Sequence, residues 1–192
     1  MSVADRRLRE RAQRHNLIIA AARDLAEAEG WEAVTTRRLA ELVEYSQPVL
    51  YSHFDGKDAI VRAVAIEGFA ELAAQLHQAQ SAVDEPGTAL RAVCSAYLTF
   101  ADARPALYHA MFVLPIDVKF ASEDTPSPLK AAFAELVGAL KPFDARPELR
   151  AEVTWATLHG LAVLGRGGRI PKERHEARID LLVSQIVNDR GG

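Results

Sequence analysis

The chain reads as all-α, with about nine helices: a three-helix N-terminal head followed by a larger helical domain. Three observations carry this. Apolar residues recur at helical spacing along most of the chain, as in Leu90, Val93, Cys94, Tyr97, Leu98 and Ala101, which is the period of one helical face. Proline and glycine fall at the ends of such segments, where they punctuate helices. No stretch keeps the strict apolar–polar alternation of a half-buried strand.

The first helix is expected over residues 6–29, with Leu17, Ile18, Ala21, Leu25 and Ala28 on its core face and Gly30 just past its end, where the left-handed backbone favours glycine. Trp31 and Val34 follow as apolar plugs in a short connection. Thr35 or Thr36 caps the next helix through its hydroxyl, and Leu39, Leu42 and Val43 share a face. Ser46 supplies another cap, and Pro48 sits in a first turn where a missing N–H costs least. A second short helix therefore starts near Gln47. Its Leu50 and Phe54 turn inward, leaving Gln47, Pro48, Val49, Tyr51, Ser52 and His53 at its N-terminal end and outer side.

Asp55 is placed to cap a long helix from Asp58 to about Gln80 with Val61, Ala65, Phe69, Leu72 and Leu76 inward. At about 1.5 Å per residue it is long enough to act as a lever between head and body. Ser81 to Gly87 is a linker, and Pro86 restarts a helix that Arg104 and Pro105 break. A short helix with Leu107, Tyr108, Met111 and Phe112 follows. The span from Pro115 to Pro128 is irregular, and Leu129 to Leu140 is helical again. Pro147 opens a helix that stops at Gly165–Gly168, and Pro171 opens the last, carrying Ile179, Leu182, Val183, Ile186 and Val187. The domain division falls at residues 1–57 and 58–192.

Two short helices joined by a tight turn form the unit whose second helix enters the DNA major groove, about 12 Å wide. Gln47 suits adenine N6/N7, and Val49 with the Pro48 ring suits a thymine methyl. Tyr51 and His53 can reach phosphate oxygens, as can Lys57 in the first turn of the next helix, although a lysine there also suits a plain solvated surface. Thr36, Arg37, Ser46 and Ser52 complete the candidate DNA-binding set.

This block resembles the TetR family of bacterial repressors. Thr36, Leu39–Ala40, Ser46, Leu50–Tyr51, Phe54 and Lys57–Asp58–Ala59 stand where that family has Thr, Ile-Ala, Ser, Leu-Tyr, Phe and Lys-Glu-Ala. Gly30–Trp31 likewise matches its Gly-aromatic pair. The specific resemblance covers residues 6–60; beyond that it is one of helix pattern. Two departures stand out. Glu44 occupies a turn position where the family has Gly, so either the turn differs or Glu44 carries a strained positive φ. Tyr45 replaces a small aliphatic residue and is expected to be half-buried with its hydroxyl outward.

The resemblance implies a homodimer, a double-stranded operator with inverted half-sites, and a small-molecule effector. Dimerisation through the last two helices also fits the small residues Ala151, Ala156, Thr157, Gly160 and Ala162, which permit close helix approach; completion of the monomer's own core is the other reading. The candidate effector lining is Phe69, Tyr97, Phe100, Tyr108, Met111, Phe112, Phe133, Trp155 and His159, apolar walls with a few polar handles. Aromatics at such spacing also serve as ordinary core.

With 192 residues, 49% of them hydrophobic, the chain can bury a substantial core. A net charge of −3 gives no global nucleic-acid signature, so DNA affinity must come from a local patch, and Arg6, Arg7, Arg9, Arg11 and Arg14 supply one. Cys94 is the single cysteine, so no intrachain disulfide forms, which suits a reducing cytoplasm. No membrane span or signal segment is visible. Gly165–Arg166–Gly167–Gly168 lacks the preceding strand and following Lys-Ser/Thr of a phosphate loop and reads as helix punctuation. No metal, cofactor or catalytic residue is expected. The alternatives are a helical small-molecule carrier or enzyme with a fortuitous helix-turn-helix pattern, and a TetR-like activator without a ligand.

Overall fold

The computed structural model describes residues 3–189. These form α1 (Val3–Glu29), a 3-10 turn (Trp31–Ala33), α2 (Thr36–Leu42), α3 (Gln47–Tyr51), α4 (Lys57–Ser81), α5 (Pro86–Ala103), α6 (Pro105–Phe112), α7 (Ser127–Leu140), α8 (Pro147–Arg166), a second 3-10 turn (Lys172–Arg174) and α9 (His175–Asn188). No strand occurs among the described residues, and the all-α expectation is met.

The chain divides into two compact units, Met1–Gly68 with Arg104–Lys119, and Phe69–Ala103 with Phe120–Gly192. A boundary at residue 57 therefore falls inside the first unit. The physical reason that α6 belongs with the head lies in α1. The Glu27 carboxylate accepts from the Ala106 and Leu107 N–H groups at 3.1 and 2.9 Å. Those are the free donors of α6's first turn, since Pro105 has none to offer. The Trp31 indole Nε1 donates to the Ala106 carbonyl at 2.8 Å beside them. Gly68 then admits α6 against α4: a Cβ there would lie 2.7 Å from Met111 Sδ and 2.8 Å from Leu107 Cδ1.

Within the head, the buried stripe of α1 is Ile18, Ala22 and Leu25, joined by Ile19 and Ala26. Leu17 and Ala28, expected on that face, are exposed. The slip is about one residue, which adjacent apolar pairs such as Leu17–Ile18 leave open to a period count. Leu42 is also exposed while Leu39 and Val43 are buried. Trp31 and Val34 are buried plugs, as expected.

In the second unit α5 is the central element, packed on α7, α8 and α9, and its whole expected stripe from Leu90 to Ala101 is buried. Arg91 on α5 ties down α9, its Nε 2.7 Å from Asp180 and its Nη2 2.6 Å from Glu176. At the start of α8, Arg150 joins Asp144 at 2.8 Å to Asp189 at 2.6 Å. Cys94 lies inside α5's buried face, where burial pushes its thiol up to about 12, so it packs as a small apolar residue. α8 buries Ala151, Thr154, Leu158 and Ala162 and leaves the opposite stripe open.

Several helix starts differ from expectation. α1 opens at Val3 and α7 at Ser127. Gly56, at φ 103, occupies the position before α4, one residue past Asp55. Pro171 precedes a 3-10 turn, and α9 itself begins at His175.

Candidate nucleic-acid interface

Thr35 starts α2 as expected, its Oγ1 accepting from the Arg38 N–H at 3.2 Å. The helix ends in a Schellman arrangement. The Tyr45 N–H donates to the Ala40 carbonyl at 2.9 Å and the Glu44 N–H to the Glu41 carbonyl at 3.3 Å. That closure requires a left-handed residue, and Glu44 supplies it at φ 57. The turn thus keeps the glycine geometry without the glycine. Tyr45 is half-buried.

Ser46 stands at the cap position of α3, but its side chain makes no capping bond. Pro48 explains this. A cap hydroxyl accepts from the second or third N–H of the helix; Pro48 has none, and the Val49 N–H already donates to the Ser46 carbonyl at 3.0 Å. The contribution of Ser46 to α3 comes from its backbone.

α3 divides cleanly between core and solvent. Leu50 is 0% exposed and Phe54 is buried, whereas Tyr51 is 52% exposed. Gln47, Pro48 and Ser52 are exposed and Val49 is half-buried. The Tyr51 hydroxyl lies 3.4 Å from Thr36 Oγ1, linking the outer surfaces of α3 and α2. Arg37 is exposed and pairs with Glu41 at 3.1 Å on α2's own surface. Lys57 is half-buried, its Nζ donating to the Trp31 carbonyl at 2.6 Å. An ammonium has three donors, so this bond leaves two.

His53 is half-buried at the base of α3, and its Nδ1 is buried without a partner among the described residues. Burial, and then the charges of Arg11, His15 and Arg14, hold its imidazole below the ordinary value. His53 is therefore a hydrogen-bonding group rather than a charged one at neutral pH. His15 stacks on Phe54 with ring centroids 4.4 Å apart. Sequence reasoning placed Arg11 only in a general basic patch and missed His15. Their spacing with Ile18 and Ala22, continuing the buried stripe toward the N-terminus, is the signal that could have found both.

Residues 90–188, more than half of the 192-residue chain, match the family described as "Tetracyclin repressor-like, C-terminal domain". Residues 18–64 match "Bacterial regulatory proteins, tetR family". The chain belongs to the TetR family. Over 56 residues, 29% of this TetR-family chain and 26% of the relative, it is 45% identical to the class A tetracycline repressor protein from transposon 1721 of Escherichia coli. The match spans about half or less of the length of this and another curated relative. A protein of unknown function from Rhodococcus sp. RHA1 shares the fold with a TM-score of 0.76 and 23% identity, over 90% of this chain and 95% of that one. The transcriptional regulator FadR of Bacillus subtilis, solved in complex with stearoyl-CoA, shares it with a TM-score of 0.68 and 13% identity, over 90% and 97%.

The nine residues expected around an effector do not fall in one unit. Tyr108, Met111 and Phe112 belong to the first, where the rings of Tyr108 and Phe112 lie 4.7 Å apart. Phe69, Tyr97, Phe100, Phe133, Trp155 and His159 belong to the second. Phe69, Tyr97, Phe100, Tyr108 and Met111 are buried; Phe112, Phe133, Trp155 and His159 are half-buried. Two of the polar handles meet, the Trp155 Nε1 donating to the Tyr97 hydroxyl at 3.0 Å. Burial first, and then Arg166, lowers the His159 imidazole below its ordinary value. A cavity of about 140 Å³ in the second unit is lined by other residues, among them Leu98, Leu161, Ile170, His175 and Arg178.

Proposed function

We propose that the chain is a homodimeric transcriptional repressor that reads one half of an inverted-repeat operator with each α3. One observation carries the reading: the one-sided burial of α3, with Leu50 and Phe54 inside and Gln47, Pro48, Tyr51 and Ser52 outside. In this reading Gln47 reads adenine, Pro48 and Val49 pack on a thymine methyl, and Thr36, Arg37, Tyr51, Ser52, His53 and Lys57 position the helix on the backbone. Such a regulator works in the cytoplasm.

Dimerisation runs through α8 and α9. What supports this is the open stripe on α8, with Leu149 51% and Val153 58% exposed and Ala156, Thr157 and Leu164 exposed in register with them. A small, largely apolar effector releases the DNA by binding the DNA-free arrangement more tightly; equal affinity for both arrangements would shift nothing. Of the apolar set expected, the second unit's Phe69, Tyr97, Phe100, Phe133, Trp155 and His159 form the candidate lining. FadR carries stearoyl-CoA, so a long-chain acyl-CoA is the first probe.

The test is an electrophoretic shift with the DNA upstream of the chain's own gene, against a scrambled duplex over a series of salt concentrations. A selective, salt-dependent shift is expected. Gln47→Ala should relax base preference, while Lys57→Ala should weaken both duplexes alike and reduce the salt slope by about one. A shift that does not distinguish the two duplexes, or none at all, removes the operator reading. Loss of the shift on adding stearoyl-CoA supports an apolar acyl effector; persistence of the complex rejects that ligand class.

A further inference from the structure

The five arginines near the N-terminus are not equivalent. Arg6 pairs with Glu10 at 3.5 Å on the surface of α1, and Arg9 Nε donates to the Asp5 carbonyl at 3.3 Å. Both are occupied within their own helix. Arg11 reaches out of it, its Nη2 donating to the Ser52 carbonyl at 2.9 Å, across 41 residues of sequence. Ser52 is the C-cap of α3.

We infer that Arg11 is a positioning residue, one that fixes the orientation of the reading helix from its C-terminal end, and that Arg7 and Arg14 of the same cluster supply the phosphate contacts. The inference rests on the DNA-binding reading and assigns separate tasks within a patch that otherwise looks uniform.

Three observations converge on it. First, α3 has five residues, too few for a helix to hold itself in water, so its orientation must be imposed from outside. Burial of Leu50 and Phe54 fixes which face is inward but leaves rotation about that anchor lightly constrained. Second, a guanidinium is suited to a helix C-terminus, where unpaired carbonyls carry partial negative charge. Three other carbonyls at this end are in use: Pro48 and Val49 accept from the Ser52 N–H at 3.0 and 3.1 Å, and Leu50 accepts from the His53 and Phe54 N–H groups at 3.0 and 3.1 Å. Arg11 takes the carbonyl of the C-cap residue itself. Third, Arg11 lies four and seven residues before His15 and Ile18 on α1, in line with the stripe that meets α3. Ile18 is fully buried, and His15 stacks on Phe54 at 4.4 Å. Arg11 is thus a member of a column, apolar at its base and charged toward its rim, that holds the far end of α3. Arg7 continues the same line one turn further out and Arg14 flanks it, both exposed to solvent.

The roles separate in the laboratory because they leave different signatures. A phosphate contact adds to affinity for every sequence and to the salt slope; a brace on the reading helix changes how well the right sequence is told from the wrong one. Arg11→Ala, Arg7→Ala and Arg14→Ala are compared by shift titration on the upstream duplex and its scrambled counterpart across salt concentrations. Arg7→Ala and Arg14→Ala should weaken both duplexes equally and reduce the slope by about one each. Arg11→Ala should lose about fivefold to tenfold on the selected duplex and less than twofold on the scrambled one, with its slope unchanged. An Arg11→Ala protein that weakens on both duplexes alike with a shallower slope makes Arg11 an ordinary phosphate contact and overturns the inference.

Amide exchange on the DNA-free protein gives a second arm. Arg11→Ala should speed exchange at His53 and Phe54 relative to Leu39 and Val43 of the neighbouring helix, and unchanged rates at all four also overturn it. Arg11→Gln is read by the same two criteria if the alanine variant does not fold. Should wild-type protein fail to distinguish the duplexes, the operator reading falls, while the exchange arm still decides whether Arg11 holds α3.

Discussion

Glu44 shows how a single residue keeps a family's turn while departing from its usual amino acid. Its φ of 57 is the left-handed geometry that the closure of α2 demands, and a side chain there costs roughly 1–2 kcal/mol that glycine avoids. Glycine in turn gains freedom in the unfolded chain, which offsets part of the difference. Glu44→Gly should therefore raise stability by about 0.5–1 kcal/mol, read as a higher Tm or a higher urea midpoint at unchanged m-value. A lower Tm would mean that Glu44 makes a compensating interaction. His53 gives a pH dependence of definite sign. Its imidazole is held below the ordinary 6.5 by burial and then by Arg11, His15 and Arg14, and protonation would place a donor on an Nδ1 that has no acceptor. The folded protein thus binds this proton less readily than the unfolded chain. Its contribution to stability is complete above the unfolded value and is lost as pH falls below it toward the lower folded one. His159, shifted the same way by burial and Arg166, adds to the trend. A His53→Gln variant should lose less Tm than wild type between about pH 7.5 and pH 5.5; equal losses would remove His53 as a source.

At the level of elements, α6 depends on a residue far from it in sequence. Glu27 takes both free N–H groups of its first turn, a carboxylate at the positive end of a helix that starts with proline. Glu27→Ala should cost about 1–2 kcal/mol, the range for losing a capping acceptor, and should speed amide exchange at Ala106 and Leu107 before any change at Leu39 or Val43. Uniform protection in the variant would mean that solvent replaces the carboxylate without loss. This contact also marks the limit of what the sequence could disclose. The stripe of α5 was legible because six apolar residues repeat on one face and all six are buried. The short helix α3 was legible because Pro48 and the inward pair Leu50 and Phe54 set its start and its buried side. The reach of Glu27 across 79 residues and of Arg11 across 41 was not, since each depends on which helices pack together rather than on local spacing. Ser46 failed as a side-chain cap for a local reason that could have been read: the proline two residues later leaves no second-position N–H to donate to the hydroxyl. The α1 face was misjudged by one residue because Leu17, Ile18 and Ile19 are consecutive, and only packing chooses among them.

For the whole molecule the decisive question is whether two copies present two α3 helices, and α8 offers the test. Leu149, Val153, Ala156, Thr157, Gly160 and Leu164 recur every three or four residues on the side opposite Ala151, Thr154, Leu158 and Ala162, which are buried. All of the first stripe but the half-buried Gly160 is open to solvent, and in the proposed dimer a second α8 would cover it. Gly160 allows a sharp test, because a Cβ built there meets nothing within 4 Å in the single chain. A Cβ there is therefore accommodated by the monomer, and removing a glycine from a helix interior is favourable by up to about 1 kcal/mol. Against a second α8 at close approach, a larger side chain would hold the two helices apart. In the proposed dimer Gly160→Leu should accordingly run near the 21.0 kDa chain mass in light scattering, where wild type is expected near twice that, with a Tm in the monomer state that is unchanged or higher. It should also lose most of its affinity for a two-half-site operator while keeping weak binding to a single half-site, because only the dimer engages both halves at once. A variant that stays at the dimer mass with full operator affinity would place the association elsewhere on the surface and leave the α8 stripe without a role in it.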